Sequence, residues 1–258
     1  MRVLHLPRTG FAPRILDKFV ESHRALDDLK LVPNDHLEIS VDRNVSSLPI
    51  FLSTALPALR SLSYTFDRRG YNGDLSLPFN AIAATHSNLT ELTLNIHSKL
   101  SRRIRFSDVL APLAPLQRLR VVNVTVKGEY LVYNANDLRK IPAMWPALVE
   151  LRIAGDLYTQ RTRSAAPLGA LLALARALPE LRALQLPQTL FTPGALDVAA
   201  TTAAAAPHRA LHGLRLGAVE VCGGREEDAE REVRAFLSAL FPNAGHRVDV
   251  KTDFAAEP

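Results

Sequence analysis

"PALVELRIAG" (146–155) decides the architecture, because the chain says nearly the same thing several times. "PALRSLSYTF" begins at Pro57, "PLQRLRVVNV" at Pro115 and "PELRALQLPQ" at Pro179. Written as L-x-x-L-x-(L/I/V/Y), the phrase occurs at Leu59-Leu62-Tyr64, Leu89-Leu92-Leu94, Leu116-Leu119-Val121, Leu148-Leu151-Ile153, Leu181-Leu184-Leu186 and Leu211-Leu214-Leu216. Weaker copies keep only the second half: Leu4 with Leu6, Leu37 with Ile39, and Val248 with Val250. Nine second anchors, from Leu4 to Val248, span 244 positions in eight steps, a mean of 30.5. Two or three matches to so common a residue would mean little. Nine at near-even spacing mark an internal repeat.

The stretches between the phrases read as helices. Apolar residues at three- and four-residue spacing run through 47–56, 76–85, 106–114, 166–178 and 226–241,. Residues 12–29 and 134–145 fit the same slot, and the Ala run of "TPGALDVAATTAAAA" is helical by propensity rather than by pattern,. Prolines 57, 115, 146, 179 and 207 then stop each helix before the next phrase,. The unit is therefore strand, loop, helix and turn. Neither element can bury its apolar side alone, so neighbouring units must stack. Strands lie about 4.8 Å apart and helices about 10 Å, which bends such a stack with its strands inside. The expected fold is α/β, a leucine-rich-repeat-like solenoid or horseshoe of about nine units with a parallel concave sheet. It forms a single domain over residues 1–258, with 251–258 as a tail.

A (β/α)8 barrel is the rival arrangement, and it would suggest an enzyme with Asp67, His97 and Asp156 at its strand ends. The strand faces argue against it. Barrel strands are buried on both sides and read as continuous apolar runs. Here the residues alternating with the anchors are Ser61/Ser63, Glu91/Thr93, Arg118/Arg120, Glu150/Arg152, Ala183/Gln185 and Gly213/Arg215. Enclosing several unpaired arginines would cost several kcal/mol each. One wet face predicts an open, one-sided sheet. In a repeat, Asp67, His97 and Asp156 instead fill the position that hydrogen-bonds the neighbouring turn.

The composition, 47% hydrophobic and 22% charged, supplies a core and excludes wholesale disorder,. Thirty-one Lys and Arg against 26 Asp and Glu leave a dispersed +5. Nucleic-acid binders gather such charge into a stripe or tail, and the densest cluster here is "SRRIR" (101–105). One cysteine, Cys222, allows no internal disulfide and fits a reducing compartment,. No apolar run approaches the ~18 residues a membrane span needs, and "MRVLHLPRTG" lacks a signal peptide's apolar centre,. The expected location is the cytosol or nucleus.

Chemical motifs are sparse. "HRALH" (208–212) spaces two histidines by four but lacks the glutamate of H-E-x-x-H, and Gly213 follows at once,. Cys222, in "VEVCGGREE", has no histidine at motif spacing and reads as a turn cysteine,. "REEDAERE" (225–232) reads as a solvated helix start with acidic residues near its N-terminus,. No phosphate loop, dinucleotide fingerprint or G-x-S-x-G elbow occurs. We expect no enzyme activity, no cofactor and no metal.

The "LPxLRxLxL" phrases (56–64, 178–186), "HSNLTELTL" (86–94) and "LFPNAGHRVDV" (240–250) resemble the leucine-rich-repeat region of fungal F-box proteins over nearly the whole chain. The resemblance implies substrate recognition for a cullin-type ubiquitin ligase, with an F-box module gripping the adaptor and the horseshoe holding the target. The F-box itself is absent, since the first phrase starts at Val3. Either the chain is the C-terminal part of something longer, to which the adaptor would bind, or residues 12–29 cap the first repeat.

Two surfaces are candidates for a protein partner. The concave face carries Arg118, Arg120, Arg152 and Arg215, with Glu91 and Glu150 beside them. Such arginines suit an acidic or phosphorylated segment through two-bond contacts; alternatively they pair with those glutamates and keep the sheet soluble. The loops leaving the strands hold Tyr71, Tyr130, Tyr133 and Tyr158 among Arg68, Arg69, Arg102, Arg103, Arg161 and Arg163. Tyrosine with arginine is the composition of interface hot spots; alternatively the tyrosines pack the loops. Trp145, at a helix end, is expected in the core.

Overall fold

A computed structural model describes residues 36–41, 59–67, 76–97, 103–156, 166–187, 189–192, 206–221 and 226–252. In chain order the elements are β1 (His36–Val41), β2 (Ser61–Asp67), α1 (Ser76–Thr85), β3 (Glu91–His97), β4 (Arg103–Arg105) and α2 (Phe106–Leu110), which runs into a 3-10 turn at Ala111–Leu113. Then come β5 (Val121–Val132), α3 (Ala135–Met144), β6 (Glu150–Asp156), β7 (Ala166–Pro167), α4 (Ala170–Ala177), β8 (Ala183–Leu186), β9 (Thr189–Phe191), β10 (Gly213–Val221), α5 (Glu226–Leu240) and β11 (Gly245–Thr252). The chain is α/β with a parallel sheet. Strand order follows the sequence, β1-β2-β3-β5-β6-β8-β10, with β11 beside β10 and the short β4, β7 and β9 adding pairings at the far strand ends. Among the described strands β1 pairs only with β2 and β11 only with β10, so the sheet path stays open.

The repeat is visible in the register. Leu37, Leu62, Leu92, Val122, Leu151, Leu184 and Leu214 are successive partners across the sheet. One anchor differs from the sequence reading: Val122, not Leu119, aligns with Leu92. Leu119 instead occupies the turn position of Leu89, each donating its N–H to the carbonyl three residues back (Leu116 and His86) at 3.1 Å. At the last strand, His246 stands opposite Leu214, and Val248 opposite Leu216.

That turn is the punctuation of the unit. Leu148 donates to Trp145, Leu181 to Leu178 and Ala244 to Phe241 at 3.1–3.2 Å. Pro146, Pro179 and Pro242 stand at the second turn position, where their fixed φ suits the bend and no N–H is needed. Next to it, one carbonyl serves two donors of the following unit. Arg60 accepts from Thr90 and Glu91, Thr90 from Arg120 and Val121, Arg120 from Val149 and Glu150, Val149 from Arg182 and Ala183, and Arg182 from His212 and Gly213.

Strand alternation sends one row inward. Leu62, Leu92, Val122, Leu151, Leu184 and Leu214 are buried, as are Tyr64, Leu94, Val124, Ile153, Leu186 and Leu216 two positions on. Against them pack Phe79 and Ile82 of α1, Val109 and Leu110 of α2, Leu138 and Ile141 of α3, Leu171 and Leu174 of α4, and Val233, Phe236 and Leu237 of α5. Trp145 lies in this core as expected, its indole N–H pointing at the Leu113 carbonyl at 3.4 Å. Asn134 caps α3 with a reciprocal Asn134–Asp137 box,.

The helices over 76–85, 106–113, 135–144 and 226–240 lie where the periodicity puts them. Within 166–178 the helix begins only at Ala170, because Ala166 and Pro167 form β7 beside β9. The expected helices at 12–29, 47–56 and in the Ala run lie outside the described residues. No helix among the described residues is long and apolar enough to cross a membrane.

Candidate functional site

The sheet face opposite the helices is wet, and its register sorts it into rows. The first row runs Ser61, Glu91, Val121, Glu150, Ala183, Gly213 and Gly245. The second runs Ser63, Thr93, Asn123, Arg152, Gln185 and Arg215, and Arg247 holds the next register position on β11. Chemistry changes along the second row. On β2, β3 and β5 its residues are short and uncharged, and Asn123 donates to Thr93 at 3.5 Å; in the row beyond, Asn95 donates to Thr65 at 3.4 Å. From β6 onward the row is Arg, Gln, Arg.

Arg152 is held by its own strand. Its Nε lies 3.1 Å from Oε1 of Glu150 and its Nη2 donates to Oε2 at 3.2 Å, a two-bond pair that fixes the plane of the guanidinium,. Arg215 is exposed and meets no carboxylate among the described residues. Between these arginines the first row contributes almost no side chain. Ala183, Gly213 and Gly245 leave a hollow of about 330 Å³, rimmed by Arg152, Gln185 and Arg215. A Cβ added at Gly213 would meet only the Ala183 Cβ at 3.9 Å, and one at Gly245 would meet nothing within 4 Å. Backbone geometry therefore does not demand these glycines. They are where space is.

Of the residues singled out by sequence, Arg152 and Arg215 share a row and a hollow. Arg118 and Arg120 do not join them, because the true β5 anchor is Val122 and both precede the strand. Arg118 donates to the side-chain oxygen of Asn88 at 2.9 Å, and Arg120 is exposed at the double-acceptor junction. The residues of β5 that face outward are Val121, Asn123 and Thr125, each half-buried. The alternative of glutamate pairing holds for Arg152 with Glu150 alone; Glu91 forms no ion pair with any described residue.

The tyrosine surface fares differently. Tyr133 is 2% exposed and packs on Phe106 with ring centroids 6.1 Å apart, so it is a core residue. Tyr130 lies within β5, its backbone paired with Arg103 and Asp156, rather than in a loop. Tyr71 and Tyr158 lie outside the described residues. Asp67 and His97 are register partners at the ends of β2 and β3. Asp156 pairs with Tyr130, three strands from β2 and so about 14 Å away by strand spacing, and the three do not gather,.

The histidines of "HRALH" lie in a turn rather than on a helix. His208 is buried, its Nδ1 accepting from the Leu211 N–H at 3.2 Å and its Nε2 donating to the Leu178 carbonyl at 2.8 Å, while His212 is exposed. His86, at the equivalent turn position before β3, is buried, and desolvation lowers its pKa below the ordinary value. Among the described residues no three His, Cys, Asp or Glu side chains come together. The acidic start of α5 carries surface pairs, Asp228–Arg231 at 2.7 Å and Glu230–Arg234 at 2.5 Å, as a solvated helix should. Cys222 lies outside the described residues.

Two features escaped sequence reading: the Ala183–Gly213–Gly245 floor, and Gln185 between the arginines. Gly213 follows the turn residue Leu211 by two positions and Gly245 follows the turn residue Ala244 by one, so the floor is legible only once the register is known. No family model matches the chain, and no curated protein matches it.

Proposed function

We propose that this chain is a non-catalytic protein-recognition module, built as a leucine-rich-repeat-like horseshoe, that holds a partner against the exposed face of its sheet. The observation that carries the reading is the asymmetry of that sheet. Helices bury one face, and no described element covers the other, where Arg152 and Arg215 rim a hollow floored by Ala183, Gly213 and Gly245. A roughly 30-residue register and strands closer together than helices favour the curved stack,. The narrower role, target holding for a cullin-type ubiquitin ligase, rests on the sequence resemblance.

The test is capture from the native cells by the full-length protein, with mass spectrometry of the companions. A partner whose capture weakens at least tenfold on Arg152→Ala with Arg215→Ala, in a protein of unchanged melting temperature, supports the reading. Equal capture by the double variant sinks the assignment to this face. A cullin adaptor among the companions supports the narrower role.

A further inference from the structure

We propose that the hollow over β6, β8, β10 and β11 is a pocket for a single phosphoserine side chain presented by the protein partner; this rests on the recognition reading above.

Size comes first. About 330 Å³ is roughly ten times the ~30 Å³ share of one water, so the space admits a side chain. It is open to solvent, with the small Ala183, Gly213 and Gly245 as its floor and the arginines on its rim. A short phosphorylated side chain entering it carries its phosphate to the level of those arginines.

Donor geometry selects the anion. A guanidinium has five N–H donors. Arg152 spends Nε and one Nη2 donor on Glu150, which leaves the Nη1 end oriented and free. Arg215 offers its whole fork from two strands away, about 10 Å at the backbone,. Gln185, on the strand between, adds amide donors at the rim. A carboxylate has two oxygens and is satisfied by one such fork, as Glu150 already demonstrates. A phosphate monoester has three terminal oxygens and close to two negative charges, enough to accept from both arginines and Gln185 together. Charge agrees: Glu150 offsets Arg152, whereas Arg215 and the nearby Arg182 meet no carboxylate among the described residues.

The experiment titrates the full chain with a short, otherwise uncharged peptide carrying one phosphoserine, following arginine side-chain Nε–H signals by NMR. Its serine and glutamate counterparts and inorganic phosphate are run in parallel. The expected result is a saturable shift of the Arg152 and Arg215 signals with the phosphopeptide, a weaker shift at the same signals with inorganic phosphate, and none with the serine peptide. Arg215→Ala should weaken binding at least tenfold. Gly213→Leu, which fills the floor and leaves both arginines, should do the same.

Equal binding of the glutamate peptide overturns the choice of phosphate. Uniform small shifts at all surface arginines, or unchanged binding in Gly213→Leu, overturn the pocket. If native partner capture survives in Gly213→Leu and Arg215→Ala, the pocket falls and the recognition face stands. If the unaltered chain captures no partner, the recognition reading falls with it.

Discussion

The two halves of the exposed sheet face share one backbone and one register, yet they do opposite things with their side chains. Over β2, β3 and β5 the first outward row is Ser61, Glu91 and Val121, and the next two are Ser63, Thr93 and Asn123, then Thr65, Asn95 and Thr125, with Asn reaching Thr on the preceding strand. Over β6, β8 and β10 they are Arg152, Gln185 and Arg215 above Ala183 and Gly213. The first half spends its outward amides on itself. The second ties Arg152 to Glu150 and leaves Arg215 exposed, with no carboxylate partner among the described residues, beside Ala183 and Gly213. The inward anchor row is leucine or valine in both halves, so the buried side does not set them apart. The recognition role proposed above would make use of the difference.

The largest expected effects test the shared part. Leu92 on β3 and Leu184 on β8 hold the same anchor position and are both buried. Replacing either with Ala should cost about 2–5 kcal/mol in chemical denaturation, with the two losses similar. A large loss at Leu92 beside a negligible one at Leu184 would break the equivalence, because it would mean that the second half packs loosely.

Next comes the contrast itself. The Arg152→Ala, Arg215→Ala double variant should lose partner capture by at least tenfold, about 1.4 kcal/mol, and change stability by no more than roughly 0.5 kcal/mol. The matched pair on the other half, Thr93→Ala with Asn123→Ala, should leave capture unchanged. Equal losses from both pairs would show that the partner spans the whole face rather than its arginine half.

Most of the repeat was legible in the sequence because a strand face leaves a period of two and a helix face a period near 3.6. Leu59, Leu89, Leu148, Leu181 and Leu211 were found in their places for that reason. The β5 register was misread because "LQRLRVVNV" offers two phrases three residues apart, and the adjacent Val121 and Val122 blur the parity. Only pairing with β3 decides that Val122 is buried and Val121 faces out. The strands β4, β7 and β9, of two or three residues, are too short to carry any period. Sequence alone left Tyr133 between an interface role and loop packing because exposure is a tertiary property: packing prevails once Phe106 lies against its ring. At the site, two arginines were legible, but the hollow between them was not, because three small residues 30-odd positions apart become neighbours only in the sheet.

A smaller effect follows pH and comes from beneath the quiet half. His86 is buried before β3 and its pKa is lowered by desolvation, so the unfolded chain takes up a proton at a higher pH than the folded one does. Its contribution is complete above the unfolded value of about 6.5 and is lost as pH falls below it. The slope is bounded by one proton, about 1.4 kcal/mol per pH unit. Unfolding free energies measured between pH 7.5 and 5.5 should therefore decline, and His86→Leu should flatten that part of the curve. An unchanged slope in His86→Leu would assign the loss to other groups.

The smallest expected effect is the most direct check on which arginines belong to the site. Arg118 sits before β5, exposed, with its Nη1 on the Asn88 side chain at 2.9 Å. An exposed contact of this kind contributes little, so Arg118→Ala should shift stability by no more than roughly 0.5 kcal/mol. The register puts it outside the row of Arg152 and Arg215, and capture should stay within twofold of the unaltered protein. The sequence reading, which aligned Leu119 with Leu92, would have placed Arg118 in the same ladder and expected it to matter. A tenfold loss of capture in Arg118→Ala would extend the partner's footprint across the leading ends of the strands, where Arg60, Arg120 and Arg182 also stand exposed. No loss would confine it to the rows on the sheet, where Arg215 borders the hollow and Arg118 instead holds Asn88.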